Sequence, residues 1–236
     1  MDVYTAVRSR RAVRAFSAEP IPPDVLERVV SAAARAPSTA NLQPWNIYLV
    51  TGPALDELKK RTGERVAAGD PGDEPEYQMY PPDLPWPYQQ RRVAAAEQRY
   101  RALGIHRSDA SARALHVAEN WNCYGAPAAL FCYIDRLMGR PQWADLGMYL
   151  QTVMLLLRAE GLHSCTQMAW SVYHRTVAEA VSPAEGTILF CGMSIGFEDP
   201  TAPRPRIDRA PLAETVTFID DRPSAPPSLV SRRTPM

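Results

Sequence analysis

The chain has 236 residues, 46% of them apolar and 22% charged, and its 26 Lys and Arg balance 26 Asp and Glu. That length supports one sizeable core, so a single domain over residues 1–236 is expected. The charge balance excludes a protein held wholesale on nucleic acid or on an anionic membrane surface.

The opening segment MDVYTAVRSRR lacks the apolar run of a signal peptide. The longest uncharged runs, such as WNCYGAPAALFCYI (121–134), are shorter than a membrane span. A cytoplasmic protein with no membrane or nucleic-acid partner is therefore expected. RSRRAVRAF (8–16) then puts four arginines into seven positions. Two readings stay open for it: a solvated basic turn, or a place where something anionic is held.

DVLERVVSAAARA (24–36) sets Val25, Leu26, Val29, Val30 and Ala33 on one helical face after a Pro-Pro start, and Pro37 stops it. APSTANLQPW crowds Ser38, Thr39, Asn41 and Gln43 into a short turn, either self-bonded or offered to a polar ligand. NIYLVT (46–51) reads as a buried strand and ALDELKKRTGERVAA (54–68) as a surface helix. Residues 71–87 hold six prolines, which predicts an insertion or lid-like loop. SDASARALHVAENW (108–121) reads as a helix capped by Ser108, and AALFCYID (128–135) as a second strand.

WADLGMYLQTVMLLLRAEGL (143–162) is apolar nearly all round, so burial in a core or against another subunit is predicted. Ser171 is placed to cap a helix over 172–181. TILFCGMSIGF (187–197) reads as a third strand kinked by its glycines, and ETVTFID (214–220) as a short fourth. Between them PRPRIDRAP (203–211) carries a second basic group, Arg204, Arg206 and Arg209. The proline-rich residues 221–236 read as an extended tail. The irregular alternation of strands and helices predicts an α+β fold.

Cys123, Cys132, Cys165 and Cys191 contain no C-x-x-C and sit among apolar residues, so buried reduced thiols are expected. Neither they nor His106, His116, His163 and His174 have metal-ligand spacing, and no metal is expected. The chain shows no Gly-rich phosphate loop. Any bound phosphate would therefore rely on guanidinium groups.

Five motifs occur in order: Arg10-Arg11, Arg14, Phe16; Pro37-Ser38, Asn41, Gln43-Pro44-Trp45; Gly161-Leu162, Ser164-Cys165, Gln167; Gly192, Gly196; and Arg204, Arg206, Arg209-Ala210-Pro211. Together they resemble the nitroreductase superfamily of FMN-dependent oxidoreductases, over residues 3 to 220. PYQQRR (87–92), YRALGIHRSD (100–109), GAPAALFCYIDR (125–136) and QWADLGMYLQ (142–151) are similar to its nitrobenzoate-reductase-like branch. Ala12 stands where the family often has Ser, and Met168 where the branch commonly has an acidic residue.

The resemblance implies a nitroreductase-like fold, with a central, mostly antiparallel sheet flanked by helices, in an intertwined homodimer. It implies bound FMN held by Arg10, Arg11, Arg14, Arg204 and Arg206, with Ser38 and Asn41 reaching in from the other subunit. Thr166, Gln167, Met168 and Ala169 would lie along the ring edge. It implies ping-pong transfer of hydride from NAD(P)H through flavin N5 to a nitroaromatic or other electron-poor small molecule, with no catalytic side chain. Trp86, Tyr88, Arg91 and Arg92 are expected on the substrate side, where they would suit a flat, anionic aromatic compound. Two alternatives stay open: a flavin-dependent oxidase or dehydrogenase tailoring a small metabolite with O2 as acceptor, and a non-catalytic flavin-binding protein.

Overall fold

A computed structural model describes residues 1–219. Eleven helices and strands are found there, in the order α1 (Val3–Ser9), α2 (Pro23–Ala33), β1 (Asn46–Thr51), α3 (Gly52–Ala67), α4 (Tyr88–Ala102), α5 (Ala110–Ala118), β2 (Ala128–Asp135), α6 (Arg140–Ala159), β3 (His163–Gln167), α7 (His174–Val181) and β4 (Thr187–Gly196). The strands form one antiparallel sheet in the order β1-β2-β4-β3. The α+β expectation is met.

Both faces of the sheet are covered, and β2 shows how. Ala128, Leu130, Cys132 and Ile134 pack with α2 and α6, while Ala129, Phe131 and Tyr133 pack with α3 and the 168–173 turn. Successive side chains of a strand point to opposite faces, so an eight-residue apolar run serves two cores. On α6 the spacing Leu146, Leu150, Val153, Leu157 lines the buried stripe. Away from that stripe, Met148 is exposed.

β4 is continuous and not kinked at its glycines. Its irregularity is a bulge opposite Cys132 and Tyr133. The glycines serve close packing. A Cβ on Gly192 would sit 2.4 Å from Trp170 Cδ1, and one on Gly196 would sit 3.0 Å from Phe16. The four cysteines are buried and free.

Three elements differ from the sequence reading. The fourth strand is not 214–220: residues 212–214 form a short turn and 215–219 have no strand, while the strand is His163–Gln167. HSCTQ lacks the apolar, β-branched character that marks β1 and β2, and it is a strand because it pairs with residues 192–196 of β4. α5 starts from Asp109, whose side chain accepts from the Ala112 N–H, and not from Ser108. Ser171 lies within the 168–173 turn, donating to the Met168 carbonyl at 2.8 Å.

The proline-rich segment is coil, as expected, but its first half is tied down. Arg65 bonds Asp70 and Asp73, Tyr173 Oη donates to the Asp70 carbonyl, and Tyr77 Oη donates to the Phe190 carbonyl at 2.6 Å. Its second half runs into α4, a helix with no buried residue. The tail 221–236 and residue 220 lie outside the described residues. No helix among the described residues is long and apolar enough to cross a membrane.

Candidate functional site

The segment after α1 runs extended beside β3. Ala12 bridges Ser164, Val13 N–H donates to the Ser164 carbonyl at 3.1 Å, and Phe16 bridges Glu198. The Ser17 N–H donates to the Phe197 carbonyl and the Asp199 N–H to the Ala15 carbonyl. These backbone bonds carry the N-terminal arginines to the chain that leaves β4, where the second basic group begins.

The two arginine groups therefore meet. Arg11 pairs with Glu198, and Arg204 Nε lies 3.5 Å from the same carboxylate. Burial, and then the charges of Arg204, Arg206 and Arg158, hold the Arg11 guanidinium below its ordinary pKa. Burial and the nearby Arg209 do the same to Arg10. Half-buried arginines that also feel one another's charge mark a concentration of positive charge, a setting that favours a bound anion. Arg8, on α1, is exposed.

Glu198 and Arg158 were not singled out by the sequence. Glu198 is nearly buried, at 9% side-chain exposure, and faces Arg11, Arg204 and His163. Arg158, on α6, donates to the Leu162 carbonyl and to Ser9 Oγ. His163 Nε2 lies 3.6 Å from Glu198, yet its pKa falls to about 4. Burial is the largest cause, followed by the charges of Arg158, Arg11 and Arg204. His163 Nδ1 is buried without a hydrogen-bond partner.

Arg14 stands apart from this cluster. Its guanidinium lies 6.0 Å from the Tyr124 ring centroid. Its charge also acts on His116 and Cys165, which places it beside the C-terminal half of β3. Burial is the main reason that the Tyr124 hydroxyl is pushed up to about 12.

The 166–169 segment lies at that same end of β3. Gln167 is spent internally: its Nε2 donates to the Asn120 carbonyl at 2.6 Å and its Oε1 accepts from Ser194 Oγ. Thr166 Oγ1 faces Met154 Sδ at 3.6 Å, Met168 packs on the core, and the Ala169 carbonyl accepts from Trp121 Nε1.

Ser38 and Asn41 are elsewhere. They sit in the loop that feeds β1, on the opposite edge of the sheet from β3. Three adjacent strand spacings span about 14 Å. The loop is held under strain: Ala40, Asn41 and Gln43 all have positive φ. Ser38 Oγ accepts from the Gln43 N–H, and Thr39 bonds the buried Asp145 of α6 through both its N–H and its hydroxyl. Asp145, hidden inside an apolar helix, is the clamp that the sequence reading did not single out.

The four expected substrate residues are dispersed along the start of α4. Trp86 and Tyr88 are exposed. Arg91 pairs with Glu214 at 2.9 Å, while Arg92 lies over Tyr80 and lines a separate cavity of about 590 Å³.

Residues 7–197 match the model of the Nitroreductase family. The chain belongs to the nitroreductase family. It is 34% identical over 220 residues to a nitrobenzene nitroreductase of Ectopseudomonas oleovorans, covering 91% of this chain and 96% of that one. It is 33% identical to a 4-nitrobenzoate reductase of Pseudomonas putida, over 85% and 87% of the two chains. Among solved structures, the FMN and NADPH-dependent nitroreductase NfnB of Sphigopyxis sp. strain HMH superposes with a TM-score of 0.89 at 40% identity, covering 93% of this chain and all of that one. The FMN-dependent nitroreductase NfnB of Mycobacterium smegmatis, in complex with NADPH, gives 0.85 at 31% identity with the same coverage. This nitroreductase thus shares its sheet and helices with FMN-dependent relatives across nearly all of its length.

Proposed function

We propose that this nitroreductase binds FMN and uses NAD(P)H to reduce nitroaromatic or similarly electron-poor small molecules, as a homodimer. The observation that carries the reading is the meeting of Arg10, Arg11, Arg204, Arg206 and Arg209 from opposite ends of the chain. The donor set fits a phosphate dianion: two guanidinium groups, Arg11 and Arg204, share one internal carboxylate, Glu198, and more arginine charge than that carboxylate balances stands around them. Because Glu198 already engages Arg11, Arg10 and Arg206 are the groups freest to hold the phosphate. Arg14 lies farther along the extended segment, and residues 166–169 lie farther along β3 and in the turn after it, which suits a ligand with a phosphate at one end and a flat ring at the other.

Bound FMN supplies hydride acceptance and donation at N5, in two half-reactions sharing one pocket. The protein binds, orients and sets the electrostatics. Arg14 would set a cation beside the ring, which would favour the ring's electron-rich form. Gln167, locked to Asn120 and Ser194, holds the backbone of the ring-edge segment still.

Ser38 and Asn41 can join this site only from a second copy, since in one chain they occupy the far edge of the sheet. Exposed apolar residues on α1 (Val3, Tyr4 and Val7) and on α6 (Met148) give that copy a surface to cover.

The purified protein should be yellow and should bleach when NADPH is added without oxygen. Addition of nitrobenzene should restore the colour. Arg206→Ala should weaken FMN binding by about 10- to 150-fold, the loss of one charged hydrogen bond. A protein that stays colourless with excess FMN would overturn the reading. A yellow protein that NADPH fails to bleach would point to the reverse flow, with O2 as acceptor.

A further inference from the structure

Asp145 is a buried acid in an apolar helix. It is 1% exposed and lies on α6 beneath the loop that leads into β1. It has no ion pair among the described residues. Its two oxygens accept only from Thr39, one from the backbone N–H at 3.0 Å and one from the hydroxyl at 3.2 Å. Burying an acid without a basic partner costs stability, and an apolar side chain of similar volume in such a place is often neutral or stabilising. Folding alone therefore does not account for an acid at position 145. What the acid supplies is a fixed Thr39.

Thr39 opens a turn that needs holding. Ala40, Asn41 and Gln43 take positive φ of 49°, 57° and 49°. That region is unfavourable for a residue with a Cβ. Residues 39–43 are exposed, so packing does little to offset the strain. The turn is instead fastened at both ends to one helix. Thr39 bonds Asp145, and Trp45 stacks on Tyr149, one turn farther along α6, with ring centroids 4.8 Å apart. Inside the turn, Ser38 Oγ accepts from the Gln43 N–H and Gln43 Nε2 donates to the Asn41 carbonyl. The exposed Asn41 side chain makes no hydrogen bond among the described residues, so its amide is offered outward.

We infer that Asp145 is a positioning residue for the flavin: through Thr39 it holds the 38–43 turn of one copy in the shape that meets the FMN of the other. This rests on the reading of the chain as an FMN-binding homodimer and adds to it the group that prepares the second copy's contact. Without the clamp the turn relaxes out of the left-handed region. FMN binding must then restore it, and affinity falls by the population lost.

The test titrates FMN into the flavin-free full chain and follows urea unfolding of the same flavin-free protein. Asp145→Leu should weaken FMN binding at least about tenfold while the urea midpoint holds or rises. Thr39→Val, which leaves the core untouched, should weaken binding about two- to tenfold, and Thr39→Ser should keep wild-type affinity. Affinity and midpoint falling together in both Asp145→Leu and Thr39→Val is the mark of a merely structural role and overturns the inference. Co-expressed chains decide the direction. A dimer of one Arg206→Ala chain and one Asp145→Leu chain should bind FMN at wild-type affinity in half of its sites, because one site draws intact arginines from the second chain and an intact turn from the first. Two weak sites in that dimer overturn the assignment across copies. A wild type that binds no FMN brings down the cofactor reading itself, whereas a wild type that binds it beside unaffected Asp145→Leu and Thr39→Val brings down only the role of Asp145.

Discussion

Arg11 and Arg113 bring the same guanidinium group into two different settings. Arg11 is placed by long-range pairing: the chain around it bridges β3 and the residues after β4, and its partner Glu198 is 187 positions away. Arg113 is placed by neighbours, stacking on Tyr100 and bonding the Arg107 carbonyl six positions back. The first belongs to the sheet and its two packed faces. The second belongs to an arm, since neither α4 nor α5 has a buried residue. The contrast suits a division of work in which the sheet side keeps the cofactor and the start of α4 faces the acceptor. A cofactor kept through many turnovers needs a rigid shelf, and an acceptor that must enter and leave needs an element of lower local stability.

The strongest way to break this contrast is to cut into the shelf's support. Trp170 is fully buried, meets Phe131 edge-on at 5.2 Å and fills the space left by Gly192. Trp170→Ala should cost about 3–5 kcal/mol in urea unfolding. Leu115→Ala removes a side chain 71% exposed on the arm. It should stay within about 0.5 kcal/mol. Comparable losses from the two would mean that the arm is as integral to folding as the sheet.

A second test sharpens the shelf itself. His163 is held neutral, with its pKa lowered from 6.5 to about 4 by burial and by three arginines. Between those values the unfolded chain binds the proton and the native protein does not. Stability is therefore full above about pH 6.5 and is lost as the pH falls toward 4. Carboxylates lowered by their partners, such as Asp73, lose stability in the same direction at still lower pH. The comparison that isolates the histidine is His163→Gln: its Tm should fall less than that of wild type between pH 6.5 and 4.5. Parallel curves would show that the native protein does not hold His163 neutral over that range.

The two regions also differed in how far the sequence revealed them. Both arginine groups were visible as clusters, and β1, β2 and β4 as apolar runs. That the clusters meet was not visible, because the contact is made by backbone pairing of residues 12–17 with 164 and 197–199, which any side chains could make. Glu198 and Asp145 escaped notice for the same reason. A single acid in a chain with 26 of them carries no signal until burial singles it out. The strand at 163–167 was hidden by polar residues whose extended form is imposed by β4. On the arm, local rules went further but slipped by one position, choosing Ser108 over Asp109 as the cap.

That cap gives the smallest and most local prediction. The Asp109 side chain accepts from the Ala112 N–H at 2.8 Å, and removing such a cap costs about 1 kcal/mol of helix stability. On the shelf such a loss would appear in global unfolding. On the arm it should not, because α5 buries no residue and can open without exposing the core. Asp109→Ala should therefore move the urea midpoint very little while the amides of residues 112–116 exchange about fivefold faster, the ratio equivalent to that free energy. If the midpoint shifts by the whole amount and local exchange does not quicken, α5 unfolds with the sheet, and the lower local stability ascribed to the arm has no physical basis.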